Sequence, residues 1–359
     1  MTHALLVRPD NVGDVLLAGP AVRAVAADVD RVTFWAGPNG AAAAGLLPGV
    51  DEVVVHRADW IDPAAGGVDR DRVMRFVDDL VDLAIDEAVI LTSFHQSPLP
   101  AALLLRLAGV PTVAAVSNDF PGALLDVRHR VDDDIHEVER ALSLVATLGH
   151  RLSPDDHGGL AVAVPPDTDI RVPAGADLVV VHPGASVPAR AWAPGRHRET
   201  VAALRADGWR VLVTGGASER DLTAFVADGI DDLGGRTTLA ELAVLLAHSA
   251  AVVTGNTGPA HLAAAVGTPV VSLYAPTVPP VRWRPWGVAH VLLGELDIAC
   301  AGCRSVRCPL PGHPCLDDVT PHHVVAALRR LLADRDATRP PLVTDRDIVV
   351  ALGGTTCVP

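Results

Sequence analysis

The run Val252-Val253-Thr254-Gly255-Asn256-Thr257-Gly258-Pro259-Ala260-His261-Leu262-Ala263-Ala264-Ala265, continued by Gly267-Thr268-Pro269-Val270-Val271-Ser272-Leu273-Tyr274, decides the fold. It reads as strand, tight polar loop, helix and next strand, because β-branched runs flank an alanine-rich stretch of helical length. Gly255 and Gly258 let the backbone approach a ligand, and Pro259 suits a first helical turn. The free N–H groups at that helix start attract an anion such as phosphate. A second loop of the same kind, His182-Pro183-Gly184-Ala185-Ser186, lies upstream.

The same alternation extends outward in both directions. Strands are expected at 4–7, 32–35, 52–55, 88–91 and 112–116, with helices at 14–27, 70–85, 100–107 and 135–148 between or after them. Residues 151–176 turn rich in Pro, Asp and Gly, and then the pattern restarts. Strands are expected at 178–182, 210–214, 250–254, 270–274 and 288–293, alternating with helices at 196–206, 218–227, 239–248 and 259–266. The expectation is an α/β chain of two similar halves, each a parallel sheet covered by helices. The boundaries read as a first domain over 1–150, a linker over 151–176, a second domain over 177–333 and a tail over 334–359. Within the tail, 347–352 looks like a short strand.

Composition narrows the function class. The 359 residues are 49% hydrophobic and 20% charged, which suits well-buried cores. A formal net charge of -14 argues against a general nucleic-acid surface. No lysine occurs, so arginine must fill every role usually given to lysine. The chain enters a strand almost at once, without a signal-peptide pattern, and has no apolar run long enough to span a bilayer. A cytoplasmic protein is expected, one that could touch the inner membrane face. Neither G-x-G-x-x-G nor G-x-x-x-x-G-K-[ST] occurs, which weakens dehydrogenase and NTPase readings.

Ligands in open α/β sheets bind outside the carboxyl ends of the strands, and four polar loops lie there. In Arg8-Pro9-Asp10-Asn11-Val12-Gly13-Asp14, the Asp14 carboxylate could cap its helix or act as a general base, and Asp10 competes for either role. In the loop from His182, Ser186 and neighbouring N–H groups can bind phosphate oxygens, with Arg190 adding a permanently charged fork. The alternative is a surface arginine beside a packed Trp192. Glu219, in Thr214-Gly215-Gly216-Ala217-Ser218-Glu219, could accept from ribose hydroxyls or stabilise its own helix start. At the fourth loop Asn256, Thr257, Gly258 and His261 surround a helix N-terminus, although a histidine in so apolar a helix could be core. Cys300, Cys303, Cys308 and Cys315 have the count for a tetrahedral zinc site but not the spacing of paired CxxC modules. They are a candidate structural zinc site or free thiols; no cluster suggests a catalytic metal.

Taken in order, these loops resemble glycosyltransferase family 9, the ADP-heptose:lipopolysaccharide heptosyltransferases. The match runs over about residues 3–333 through Val7-Arg-Pro-Asp-Asn-Val-Gly-Asp14, His182-Pro-Gly-Ala-Ser186 with Arg190-Ala-Trp192, Gly215-Gly-Ala-Ser-Glu-Arg220 and Thr257-Gly-Pro-Ala-His-Leu-Ala-Ala-Ala265. The resemblance implies a GT-B fold, two Rossmann-like domains facing an interdomain cleft, with the donor held mainly by the C-terminal half. It also implies inverting, metal-independent transfer from an ADP-sugar to a hydroxyl of a glycolipid, glycan or small-molecule acceptor, with no cofactor required. In that scheme Asp14 takes the acceptor proton. Ser186, Arg190, Thr257 and Gly258 stabilise the departing diphosphate, and Glu219, Asn256 and His261 face the nucleotide and sugar. Two departures stand out: Arg190 replaces the family's lysine, and Asn256 replaces the aspartate that grips donor-sugar hydroxyls. Two other readings fit the same architecture, a nucleotide-sugar 2-epimerase and a non-catalytic nucleotide-sugar-binding protein.

Overall fold

A computed structural model of the chain describes residues 1–61, 66–168, 170, 172 and 177–338. The chain divides into two compact units, Met1–Ala161 and Val162–Pro359. Each carries one wholly parallel sheet among the described residues.

The first unit holds β1 (His3–Arg8), β2 (Arg31–Ala36), β3 (Glu52–Val55), β4 (Glu87–Ile90), β5 (Thr112–Val116) and β6 (Val127–His129), in the spatial order β3-β2-β1-β4-β5-β6. All six residues of β1 are buried, as expected for a central strand covered on both faces. Leu5, Val7, Trp35, Phe76, Leu80, Ile90 and Leu105 belong to one continuous core, where full burial of a large apolar side chain is worth about 1.5–3 kcal/mol. Helix Arg70–Asp82 turns Val73, Phe76, Val77 and Leu80 inward, and Asp69 caps it by accepting from the Arg72 N–H at 3.0 Å.

Two local readings need correction. The single helix expected over 14–27 is two helices, Val12–Leu17 and Gly19–Ala26, meeting at Ala18. Pro20 has no N–H to donate to the carbonyl four residues back, so the turn loses a rung there. Strand β6 was not anticipated; Val-Arg-His is too short and too polar to announce itself, and it forms by pairing with β5.

The second unit holds β7 (Leu178–His182), β8 (Arg210–Val213), β9 (Ala251–Gly255), β10 (Val270–Leu273) and β11 (His290–Leu293), in the order β11-β10-β9-β7-β8. Its core includes Val179, Val181, Leu204, Val213, Val253, Val271, Leu273, Leu316 and Leu328. Helix Leu239–Ala247 starts in a capping box, with Thr238 and Glu241 satisfying each other's backbone N–H groups. The terminal helix Pro321–Thr338 continues past residue 333, and the strand-like run 347–352 lies outside the described residues. Residues 151–168 contain turns but no helix or strand.

The topology singles out two places. In the first unit β1 lies between β2 and β4; in the second β7 lies between β8 and β9. These are the points where chain order reverses across a sheet, and crevices open at the carboxyl ends of such strands.

Candidate active site

At the reversal point of the first unit, Arg8 ends β1 and is buried to 4% exposure. Its Nη1 donates to the Leu91 carbonyl at 2.8 Å, and its Nη2 donates to Asp14 Oδ1 and to Ser93 Oγ at 3.0 Å each. Its Nε lies 2.9 Å from Asp10 Oδ2, and Nη2 lies 3.5 Å from Glu137 Oε2. Glu137 in turn faces Arg140 at 3.7 Å, and Arg140 donates to the Thr92 carbonyl. Gln96 completes the group by donating to Asp10 Oδ1 at 2.6 Å. Gly40 braces the loop from below, since a Cβ there would come within 2.6 Å of the Asp10 carbonyl.

Burial alone would weaken proton binding by the Arg8 guanidinium; Asp10, Asp14 and Glu137 more than reverse this and hold it above its ordinary value. Burial pushes the Asp10 carboxyl up to about 6 against the pull of Arg8, with Asp14 and Glu137 adding repulsion. Asp14 is not the cap of its helix. Asn11 occupies that position without a side-chain cap bond, and Asp14 lies within the first turn with its carboxylate on Arg8.

At the reversal point of the second unit, the loops after β7 and β9 adjoin. Arg190 Nε donates to Thr277 Oγ1 at 3.1 Å, and its carbonyl stands 3.6 Å from where a Gly255 Cβ would be. Asn256, buried, donates to the Ala275 carbonyl at 3.3 Å and also reaches the Tyr274 hydroxyl. Burial raises the Tyr274 hydroxyl above its ordinary range, while Arg190, Asn256 and Arg284 partly oppose the shift. Thr257 precedes helix Gly258–Ala265, and its buried Oγ1 has no hydrogen-bond partner. His261 is buried one turn into that helix. Ser186 sits exposed on the β7 loop.

Glu219 serves the β7 loop from the neighbouring loop. Its Oε2 accepts from the Gly216 N–H at 2.7 Å and lies 3.8 Å from His182 Nε2. A Cβ on Gly184 would collide with this carboxylate, so the backbone and the glutamate approach as closely as only glycine permits. Burial lowers the proton affinity of His182 despite Glu219, and His182 Nδ1 pairs with Thr214 Oγ1 at 3.0 Å.

Cys300, Cys303, Cys308 and Cys315 are free thiols lining one cavity of about 30 Å³ with Thr277 and Ala189. Among the described residues no three His, Cys, Asp or Glu side chains are gathered to hold a metal ion; of the two readings open in the sequence, structural zinc or free thiols, the cysteines stand here as free thiols. The segment braces the loops after β7 and β10. Gly302 and Arg304 donate their N–H groups to the carbonyls of Pro276 and Thr277 at 2.7 and 3.0 Å, and Ala189 N–H donates to the Val306 carbonyl at 3.0 Å.

This arrangement can be compared with known proteins. Residues 89–313 match the model of glycosyltransferase family 9 (heptosyltransferase). Lipopolysaccharide heptosyltransferase 1 of Pseudomonas aeruginosa is 30% identical over 323 residues, covering 85% of this chain and 87% of that protein. The chain belongs to glycosyltransferase family 9. The family 9 enzyme also has local likeness to lipopolysaccharide heptosyltransferase 3 of Escherichia coli, 36% identical over 115 residues, or 30% of this chain and 33% of that one. Two solved structures share its GT-B fold. A family 9 glycosyl transferase from Veillonella parvula superposes with a TM-score of 0.73 at 16% identity, covering 93% of this chain and 97% of that one. The E. coli ADP-heptose lps heptosyltransferase II does so at 0.71 and 20% identity, covering 94% and 100%. The enzyme is a glycosyltransferase of two parallel-sheet α/β domains.

Several residues of this glycosyltransferase escaped the sequence reading: Arg8, Ser93, Gln96, Glu137 and Arg140 in the first unit and Tyr274 in the second. Arg8 had a visible signal, a charge ending a fully apolar strand. Glu137 had none, because 129 residues separate it from Arg8.

Proposed function

We propose that this enzyme transfers a heptose, or a closely related sugar, from an ADP-sugar to a hydroxyl of a lipopolysaccharide-core glycolipid, with inversion and without a catalytic metal. The observation that carries this reading is Asp14: a carboxylate 22% exposed at a reversal point, held by a buried arginine, with the cap position of its helix taken by Asn11. Lipopolysaccharide heptosyltransferase relatives, and E. coli structures holding ADP or ADP-2-deoxy-2-fluoro heptose, support the choice of donor and acceptor.

In the proposed reaction the acceptor oxygen forms a bond to the anomeric carbon as the bond to the diphosphate oxygen breaks. Asp14 takes the hydroxyl proton, and the electron pair leaves with ADP. Arg190, Ser186, Thr257 Oγ1 and the N–H groups beginning at Gly258 meet the charge that develops on the leaving diphosphate. They supply in place the positive potential that a divalent cation supplies in other transferases. Glu219, across the β7 loop, would accept from ribose hydroxyls, and Asn256 and His261 would face the donor sugar. The Asn256 amide is both donor and acceptor where the family's aspartate only accepts. Work at the cytoplasmic membrane face follows from a glycolipid acceptor; among the described residues no helix is long and apolar enough to cross a membrane. The domain roles proposed are acceptor side for the first unit and donor side for the second.

A donor panel of ADP-, UDP-, GDP- and TDP-sugars, scored by thermal shift and then by turnover with a lipid-core acceptor, tests the proposal. ADP-heptose should be the best donor and should invert; a UDP- or GDP-sugar turned over faster would overturn the donor assignment.

A further inference from the structure

The first unit's reversal point contains more ionised groups than one general base requires. Two arginines, Arg8 and Arg140, face three carboxylates, Asp10, Asp14 and Glu137, within an interior that excludes water from all but Asp14. Fully ionised, this group carries one excess negative charge. It becomes neutral on taking up a single proton, which is what a base does in one turnover.

Arg8 is shared. Asp14 takes Nη2 and Asp10 takes Nε, so the two carboxylates flank one guanidinium that cannot move, pinned by the Leu91 carbonyl and Ser93. The groups facing Asp10 come from four elements: Arg8 from β1, Asp14 from helix Val12–Leu17, Gln96 from the segment after β4, and Glu137 from helix Glu137–Ala146.

We propose that Arg8 and Asp10 are the positioning pair of the transfer reaction: Arg8 aims the Asp14 carboxylate, and Asp10, on the other side of the same guanidinium, holds that guanidinium to its aim. The proposal rests on Asp14 as the base. When Asp10 is ionised, its charge holds the Nε edge of Arg8 while Nη2 holds Asp14. When Asp10 is protonated, that charge is lost and Arg8 is held less firmly against Asp14. Since burial pushes Asp10 up to about 6, that loss falls within an accessible range of pH.

The test is the pH profile of kcat/KM for the wild type, Asp10→Asn, Arg8→Lys and Asp14→Asn, with ADP affinity of each measured by calorimetry as the check of folding. The wild type should lose activity as pH falls through about 6. Asp10→Asn, permanently uncharged, should lose that limb and run flat near the wild type's acid-side rate, roughly tenfold or more below its plateau, with ADP affinity unchanged. Arg8→Lys should lower kcat more than it changes KM, since an ammonium cannot hold both carboxylates in the same fork. An Asp10→Asn enzyme that keeps the acid limb near pH 6, or keeps full kcat, overturns the proposal while leaving the base in place. Turnover by Asp14→Asn would instead overturn the base itself, a separate failure.

Discussion

The two reversal points use charge in opposite ways. In the first unit Arg8 is enclosed, hydrogen-bonded to Leu91, Ser93 and Asp14 and ion-paired with Asp10, with Glu137 close by. In the second unit, among the described residues, the Arg190 side chain makes one hydrogen bond, to a neutral hydroxyl, and the buried Thr257 Oγ1 has none. A cluster of opposed charges holds its geometry and can exchange one proton. An arginine matched by a hydroxyl has positive charge left for an anion. In the proposed reaction, proton chemistry falls to the first unit and diphosphate recognition to the second.

The strongest way to break this contrast is Asp14→Ala. Turnover should fall at least about a hundredfold while ADP affinity stays within about twofold, measured by steady-state kinetics and calorimetry. A parallel loss of ADP affinity would mean that the two sites do not divide the work.

Asp10 sharpens the contrast through stability. Its carboxyl binds a proton more tightly folded than unfolded, so ionising it penalises the fold as pH rises from the ordinary carboxylate value through about 6, and the penalty is absent below that window. Relative to Asp10→Asn, the wild type should lose on the order of 3 kcal/mol between about pH 4 and pH 7 in urea unfolding. A constant difference across that range would show that the cluster does not bury this charge.

On the donor side, Arg190→Ala should weaken ADP-sugar binding by about 1.5–3 kcal/mol, the range for hydrogen bonds to charged groups, with little change in unfolding. Unchanged affinity in calorimetry would remove Arg190 from the diphosphate. The smallest effect is expected from Asn256→Asp. The amide donates to the Ala275 carbonyl, so a carboxylate there loses a bond and meets an acceptor, costing about 1 kcal/mol in denaturant unfolding. An aspartate tolerated without cost would show that the side chain turns freely toward the sugar.

Much of the fold was legible because strand and helix periodicities are local. Every strand expected over 177–333 is present, and the helices differ mainly at their ends, where capping decides. The site was legible only as a set of loops. Asp14, Arg190, Glu219 and Asn256 stand on four separate strand ends, and the first three each had a plausible structural alternative. For Glu219 the local role is real, since it accepts from Gly216 N–H while also packing against Gly184. For Asp14 the capping position is taken by Asn11, and its carboxylate meets Arg8 from the end of β1.

Sequence alone determined the alternation of strand, loop and helix, the glycine-bearing loops at the strand ends and the family they resemble. These depend on backbone preferences that act over a few residues. Only the tertiary structure decided that Arg8 meets Glu137 across 129 residues and Arg190 meets Thr277 across 87. A charge shows in the sequence, but its partner is chosen by which strands the parallel sheet sets side by side.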